Sequence, residues 1–69
     1  MQVIQLSVNG APLVFDQSPS LVQLLEHLYL IGKRVAVERN GEIVPRSQFP
    51  ETVLADGDKL EIVVAVGGG

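Results

Sequence analysis

The sequence predicts an α+β domain, with one main helix packed on one face of a mixed four- to five-stranded sheet. Two Asn-Gly pairs, Asn9-Gly10 and Asn40-Gly41, each divide a pair of apolar runs. Both central positions of a type I′ hairpin turn need φ > 0, which Asn and Gly adopt most readily. Between these turns Leu21, Leu24, Leu25 and Leu28 recur at i, i+3, i+4 and i+7, one stripe of a helix. After both comes a last run, Lys59 to Val66, in which Leu60, Ile62, Val64 and Val66 alternate with Glu61, Val63 and Ala65.

In chain order, Val3 to Val8 reads as a strand, because Ile4, Leu6 and Val8 alternate with Gln5 and Ser7. Ala11 to Phe15 returns antiparallel, with Leu13 and Phe15 on one face. Pro12 has no N–H for a ladder, so this strand belongs at a sheet edge. Asp16 to Ser20 is turn chemistry, and Ser20 with Gln23 forms a capping box that starts the helix near Leu21. Burying the leucine stripe contributes roughly 1.5–3 kcal/mol per residue. Gln23, Glu26 and His27 take the polar side. Gly32 is the expected C′ residue of the helix, with Lys33 and Arg34 near its negative dipole end.

Val35 to Arg39 is a third strand and Glu42-Ile43-Val44 a short fourth, ended by Pro45. Arg46 to Leu54 carries the weakest pattern; it predicts a turn or one short helical segment, with Phe49, Val53 or Leu54 covering a core edge. Ala55-Asp56-Gly57-Asp58 is a turn into the last strand. The first and last strands are apolar and free of proline. Both therefore suit the sheet centre as parallel neighbours, and the chain between them supplies the long crossover such neighbours need. This order is a β-grasp arrangement. Residues 1–66 form the domain and 67–69 a C-terminal glycine tail.

Composition narrows the class. Sixty-nine residues make one domain, and a chain of this size buries only about 60% of its unfolded surface. There is no cysteine, hence no disulfide, thiolate nucleophile or sulfur-based zinc site, which favours a reducing compartment. A net charge of −3 disfavours nucleic acid, and two Phe, one Tyr and no Trp make a poor base-stacking platform. No apolar run approaches the roughly 20 residues of a membrane span. Met1 to Gln5 lacks the basic and apolar regions of a signal peptide. The expectation is a soluble cytoplasmic protein with neither a nucleic-acid nor a membrane partner.

Internal catalytic candidates are poor. His27 is the single histidine and falls on the polar helix face, where solvent is its expected neighbour. Asp56-Gly57-Asp58 lacks the spaced ligands and closing Glu of a calcium loop. Ser47 has no histidine near it in sequence, and the carboxylates are scattered with no apolar pocket to perturb them. No helix follows Gly67-Gly68-Gly69, so these do not form a phosphate loop. No catalytic residue, metal site or bound cofactor is expected in this chain.

The glycine end remains. Gly67, Gly68 and Gly69 present bare backbone and an α-carboxylate. Four extended residues reach roughly 13–14 Å, enough to thread a partner's channel. A carboxylate is a poor electrophile and must be activated, for instance as a mixed anhydride with AMP, before sulfur or nitrogen attacks it. The other reading of such an end is a frayed terminus or linker.

Three segments decide between these readings. Ile43-Val44-Pro45-Arg46, Asp56-Gly57-Asp58-Lys59-Leu60 and Ala65-Val66-Gly67-Gly68-Gly69 occur in that order across nearly the whole chain. In this the sequence resembles the thiamine-biosynthesis sulfur carrier proteins (ThiS), which are ubiquitin-like β-grasp proteins with a terminal Gly-Gly. The third glycine, Gly67, departs from the small apolar residue that many members carry. The resemblance implies that Gly69 is the site of covalent change, first an acyl-adenylate and then a thiocarboxylate, with Gly67, Gly68 and Gly69 threading into the partner. It implies an adenylyltransferase that uses ATP and Mg²⁺, a cysteine desulfurase relay, and thiazole synthase as sulfur acceptor. Val63 and Ala65, on the sheet face away from the helix, are the expected partner-contact patch. The sulfur carrier subunit of molybdopterin synthase and a non-covalent ubiquitin-like adaptor are the alternative readings.

Overall fold

The computed structural model of the protein describes residues 3–65. One hairpin joins β1 (Ile4–Val8) to β2 (Ala11–Phe15), and a second joins β3 (Val35–Arg39) to β4 (Glu42–Ile43). Each turns on its Asn-Gly pair, with φ of 51° and 85° at Asn9 and Gly10 and 52° and 89° at Asn40 and Gly41. Those left-handed pairs are what a type I′ turn requires. α1 (Leu21–His27) lies between the hairpins, and β5 (Lys59–Val64) comes last.

The sheet runs β2-β1-β5-β3-β4. β5 is parallel to β1 and antiparallel to β3, so the last strand occupies the centre. This is the β-grasp arrangement, with five strands. The Pro12-bearing β2 is an edge strand, where its missing N–H leaves no ladder incomplete.

The core forms between α1 and one sheet face. Leu21, Leu24 and Leu25 are buried against Leu6, Val8, Val37, Leu60 and Ile62. The capping box is present: Gln23 N–H donates to Ser20 Oγ at 3.1 Å, and Ser20 N–H donates to Gln23 Oε1 at 2.9 Å. The stretch after Pro45 is a 3-10 helix, Arg46–Glu51. Phe49 and Leu54 from this region are buried, whereas Val53 is exposed. Its backbone ties down the helix start, since Leu21 N–H donates to Thr52 O at 2.8 Å and Leu54 N–H to Pro19 O at 2.9 Å.

The helix ends earlier than Gly32 predicts. Leu28 is its C-cap, and Tyr29 takes the left-handed C′ position with φ 59°. Leu30 N–H donates to Leu25 O at 2.8 Å and Tyr29 N–H to Glu26 O at 3.1 Å. These are the paired bonds of a Schellman motif, which places the C″ residue, Leu30, near Leu25. Leu30 accordingly packs on the core. In a continued helix Leu30 would fall off the leucine stripe; after the early stop it sits half-buried against the core. Gly32, with φ 85°, serves the next turn instead.

Candidate functional site

The predicted site residues Gly67, Gly68 and Gly69 lie outside the described residues, as does Val66. The structure defines the strand that leads to them. At its start, Asp58 is buried. Its Oδ2 accepts from Ala55 N–H at 2.8 Å and Arg39 Nε at 2.9 Å, and its Oδ1 accepts from Asn40 Nδ2 at 3.0 Å. Asn40 Oδ1 in turn accepts from Lys59 N–H at 2.9 Å. Burial pushes the Asp58 carboxyl up, but the Ala55 N–H, the Asn40 amide and the Arg39 guanidinium together outweigh it and hold the group below its ordinary value. The expectation of scattered, unperturbed carboxylates is therefore corrected at Asp58.

The same turn is fastened to β1. Gln5 N–H donates to Asp56 Oδ1 at 2.8 Å, Gly57 N–H to Gln5 O at 2.8 Å, and Ser7 N–H to Asp58 O at 3.0 Å. Asp56-Gly57-Asp58 thus acts as a clasp that sets where β5 begins. Farther along, Asn9 reaches from the first hairpin turn to the backbone of Ile62. At the exit, Val64 pairs with Val35, and Ala65 N–H donates to Arg34 O at 2.8 Å. Asn9, Asn40 and Asp58 were legible in sequence only as turn formers; their side chains also position β5.

β5 alternates as far as Val63, with Leu60 and Ile62 buried and Lys59, Glu61 and Val63 turned outward, whereas Val64, expected on the buried side, is exposed at the strand end. Val63 is 64% exposed and pairs with Ala36, which is also exposed. Ala65 is exposed and continues the parity of Val63. Ile43 on β4 and Val14 on β2 add exposed apolar surface to the same side. Glu38 and Glu61 stand directly opposite one another there.

His27 is exposed, but its ring meets Phe15 edge-on at 5.1 Å between centroids, so solvent is not its only neighbour. Ser47 lies exposed in the 3-10 helix. Among the described residues no group of His, Asp and Glu gathers to hold a metal ion, and no helix is long and apolar enough to cross a membrane.

Known proteins share this arrangement. The model of the ThiS family matches residues 2–69. Sulfur carrier protein ThiS of Bacillus subtilis is 40% identical over 65 residues, covering 93% of this chain and 98% of that protein. A thiazole synthase of Paramagnetospirillum magneticum is 46% identical over 66 residues, covering 96% of this chain; the chain spans only 20% of that protein's length. The crystal structure of the thiamine biosynthesis protein ThiS from Geobacter metallireducens superposes with a TM-score of 0.80 at 38% identity, covering 96% of this chain and 100% of that one.

Proposed function

The chain belongs to the ThiS family, and from that premise we propose that it is a sulfur carrier protein of thiamine biosynthesis, acting in the cytoplasm as a co-substrate of partner enzymes and not itself an enzyme. The observation that carries this reading is the family match running through the glycine end, joined to a central strand held along both sides.

In the proposed cycle an adenylyltransferase binds ATP and Mg²⁺. A carboxylate oxygen of Gly69 attacks the α-phosphorus of ATP, and pyrophosphate leaves. Sulfur from a cysteine desulfurase relay then attacks the acyl carbon. The relay delivers this sulfur as the outer atom of a persulfide, so AMP departs with the attacking oxygen and leaves an acyl disulfide. A thiol then attacks the relay-side sulfur of that S–S bond, the relay leaves as a disulfide, and Gly69 keeps the sulfur as a thiocarboxylate. Thiazole synthase accepts this sulfur. The similarity of the chain to part of a thiazole synthase supports that acceptor. Gly67 and Gly68 pass through the partner channel as bare backbone, which no side chain obstructs. The outward sheet face, with Val63 and Ala65, meets the partner.

Intact mass spectrometry tests the reading. After incubation with adenylyltransferase, ATP and a sulfur donor, the chain is expected to gain the mass of one sulfur replacing one oxygen, localised to Gly69. A chain that binds partners without ever gaining this mass is an adaptor.

A further inference from the structure

The chain has five Lys and Arg residues against eight Asp and Glu. Three of the five, Lys33, Arg34 and Arg46, line one cleft of about 400 Å³, and no carboxylate lines it. Its floor is apolar, with Leu25 and Phe49. Among the described residues the single ion pair is Arg39–Asp58, so none of these three cations is paired there. The cleft adjoins the end of the last strand, since Arg34 O accepts from Ala65 N–H at 2.8 Å.

The loop that shapes the cleft carries a second signal. Tyr29 holds φ 59°, a conformation glycine adopts at no steric cost, and its side chain is 88% exposed. Ile31, two residues on, is 52% exposed. An exposed aromatic in a strained position contributes nothing to the core, and such sites tend to serve function.

We propose that this cationic cleft, lined in part by Ile31 and preceded in the chain by the exposed Tyr29, docks an acidic segment of the protein that receives the tail. The proposal rests on the carrier reading above. Charge complementarity selects the occupant. The chain is acidic overall, yet the last strand ends beside a cationic cluster that has no ion-pair partner among the described residues. An acidic surface around the receiving channel would therefore orient the carrier with its tail end forward.

The test uses thiazole synthase as the probe and measures affinity by calorimetry at low and physiological salt, alongside sulfur loading. Three variants are compared: Lys33→Glu/Arg34→Glu/Arg46→Glu, its neutral counterpart Lys33→Gln/Arg34→Gln/Arg46→Gln, and Tyr29→Gly. Wild-type affinity is expected to fall as salt rises. The charge reversal is expected to lose at least about tenfold in affinity with a flattened salt dependence, the neutral variant less, and Tyr29→Gly to weaken binding with the fold intact. Should the reversed chain misfold by circular dichroism, the neutral variant decides. If wild type binds and both charge variants bind equally well, the cleft is not the docking surface and the carrier reading stands. If ATP or inorganic phosphate shifts the amide resonances of Lys33, Arg34 and Arg46 while thiazole synthase does not, the occupant is a small anion and the proposal is overturned. If wild type neither binds nor gains sulfur, the carrier reading falls and takes the proposal with it.

Discussion

Asn9 and Ile62 form a two-way bridge: Ile62 N–H donates to Asn9 Oδ1 at 2.8 Å, and Asn9 Nδ2 donates to Ile62 O at 3.1 Å. The side chain extends the parallel ladder past Val8 and Leu60, where the register pairs of β1 with β5 stop. One amide thus serves as one more residue of β1.

Replacing that amide should be costly in a specific way. Asn9→Asp keeps the size but loses the donor, and it sets a carboxylate against the Ile62 carbonyl. A loss of about 1–3 kcal/mol is expected from the unsatisfied pairing. Asn9→Gly retains the left-handed turn and loses only the bridge. Urea midpoints of the two variants check this; equal midpoints for wild type and Asn9→Asp would show that the bridge contributes nothing.

Asp58 predicts a pH dependence. Its folded pKa lies below the ordinary value of an aspartate carboxyl. The unfolded state therefore binds its proton first as pH falls. The stabilisation is fully present above the unfolded value and is lost as pH drops through the folded one. Urea midpoints measured between roughly pH 5 and pH 1 should fall for wild type. Asp58→Asn should start lower and show a shallower decline. An identical slope in the variant would assign the acid sensitivity to other carboxylates.

At the helix end, Tyr29→Gly should stabilise the protein. The left-handed conformation costs a non-glycine residue about 1–2 kcal/mol, partly offset because glycine gives the unfolded chain more freedom. A net gain of about 0.5–1 kcal/mol in denaturant unfolding is expected. A loss would mean that the exposed ring packs more than its accessibility indicates.

On the outward sheet face, Val63→Asp should weaken binding to the adenylyltransferase while circular dichroism stays unchanged. Val63 is 64% exposed, so an aspartate there remains hydrated. Unchanged affinity would remove Val63 and Ala65 from the contact surface.

The glycine end gives the sharpest outcome. Gly68→Val places a branched side chain where the proposed threading needs bare backbone, and it restricts φ. Sulfur loading should be abolished in the intact-mass assay. The change lies beyond Val64, where β5 ends, so the thermal midpoint should not move. Normal loading by this variant would sink the threading mechanism.

The sequence made legible what local rules control. Asn-Gly turns, the Ser20–Gln23 capping box and the leucine stripe act over a few residues, and the structure has them where they were expected, except that Leu28 is the half-buried C-cap instead of a helical core residue. The central parallel pairing followed from the apolar, proline-free character of β1 and β5. The helix end was misjudged because glycine is the usual C′ residue, whereas here Tyr29 takes that position and Leu30, half-buried, packs on the core. Asp58 looked like a surface turn residue, since Arg39 and Asn40 lie 19 and 18 positions away. The cationic cleft was hidden for the same reason: Arg46 meets Lys33 and Arg34 only after the chain has folded. For the candidate site, the outward placement of Val63 followed from strand alternation, while the clamps on β5 depend on contacts distant in sequence.

The position of β5 bears on how the chain is made. Synthesis proceeds from the N-terminus, and Lys59–Val64 is the last described strand to emerge. Until it does, the two hairpins have no strand between them and α1 has only part of a sheet to cover. A ribosome-bound or prematurely terminated chain lacking these residues would leave Leu6, Leu24 and Val37 without Leu60 and Ile62 to pack against. Such a product is open to proteolysis. Chains cut short before Lys59 would thus be removed soon after synthesis.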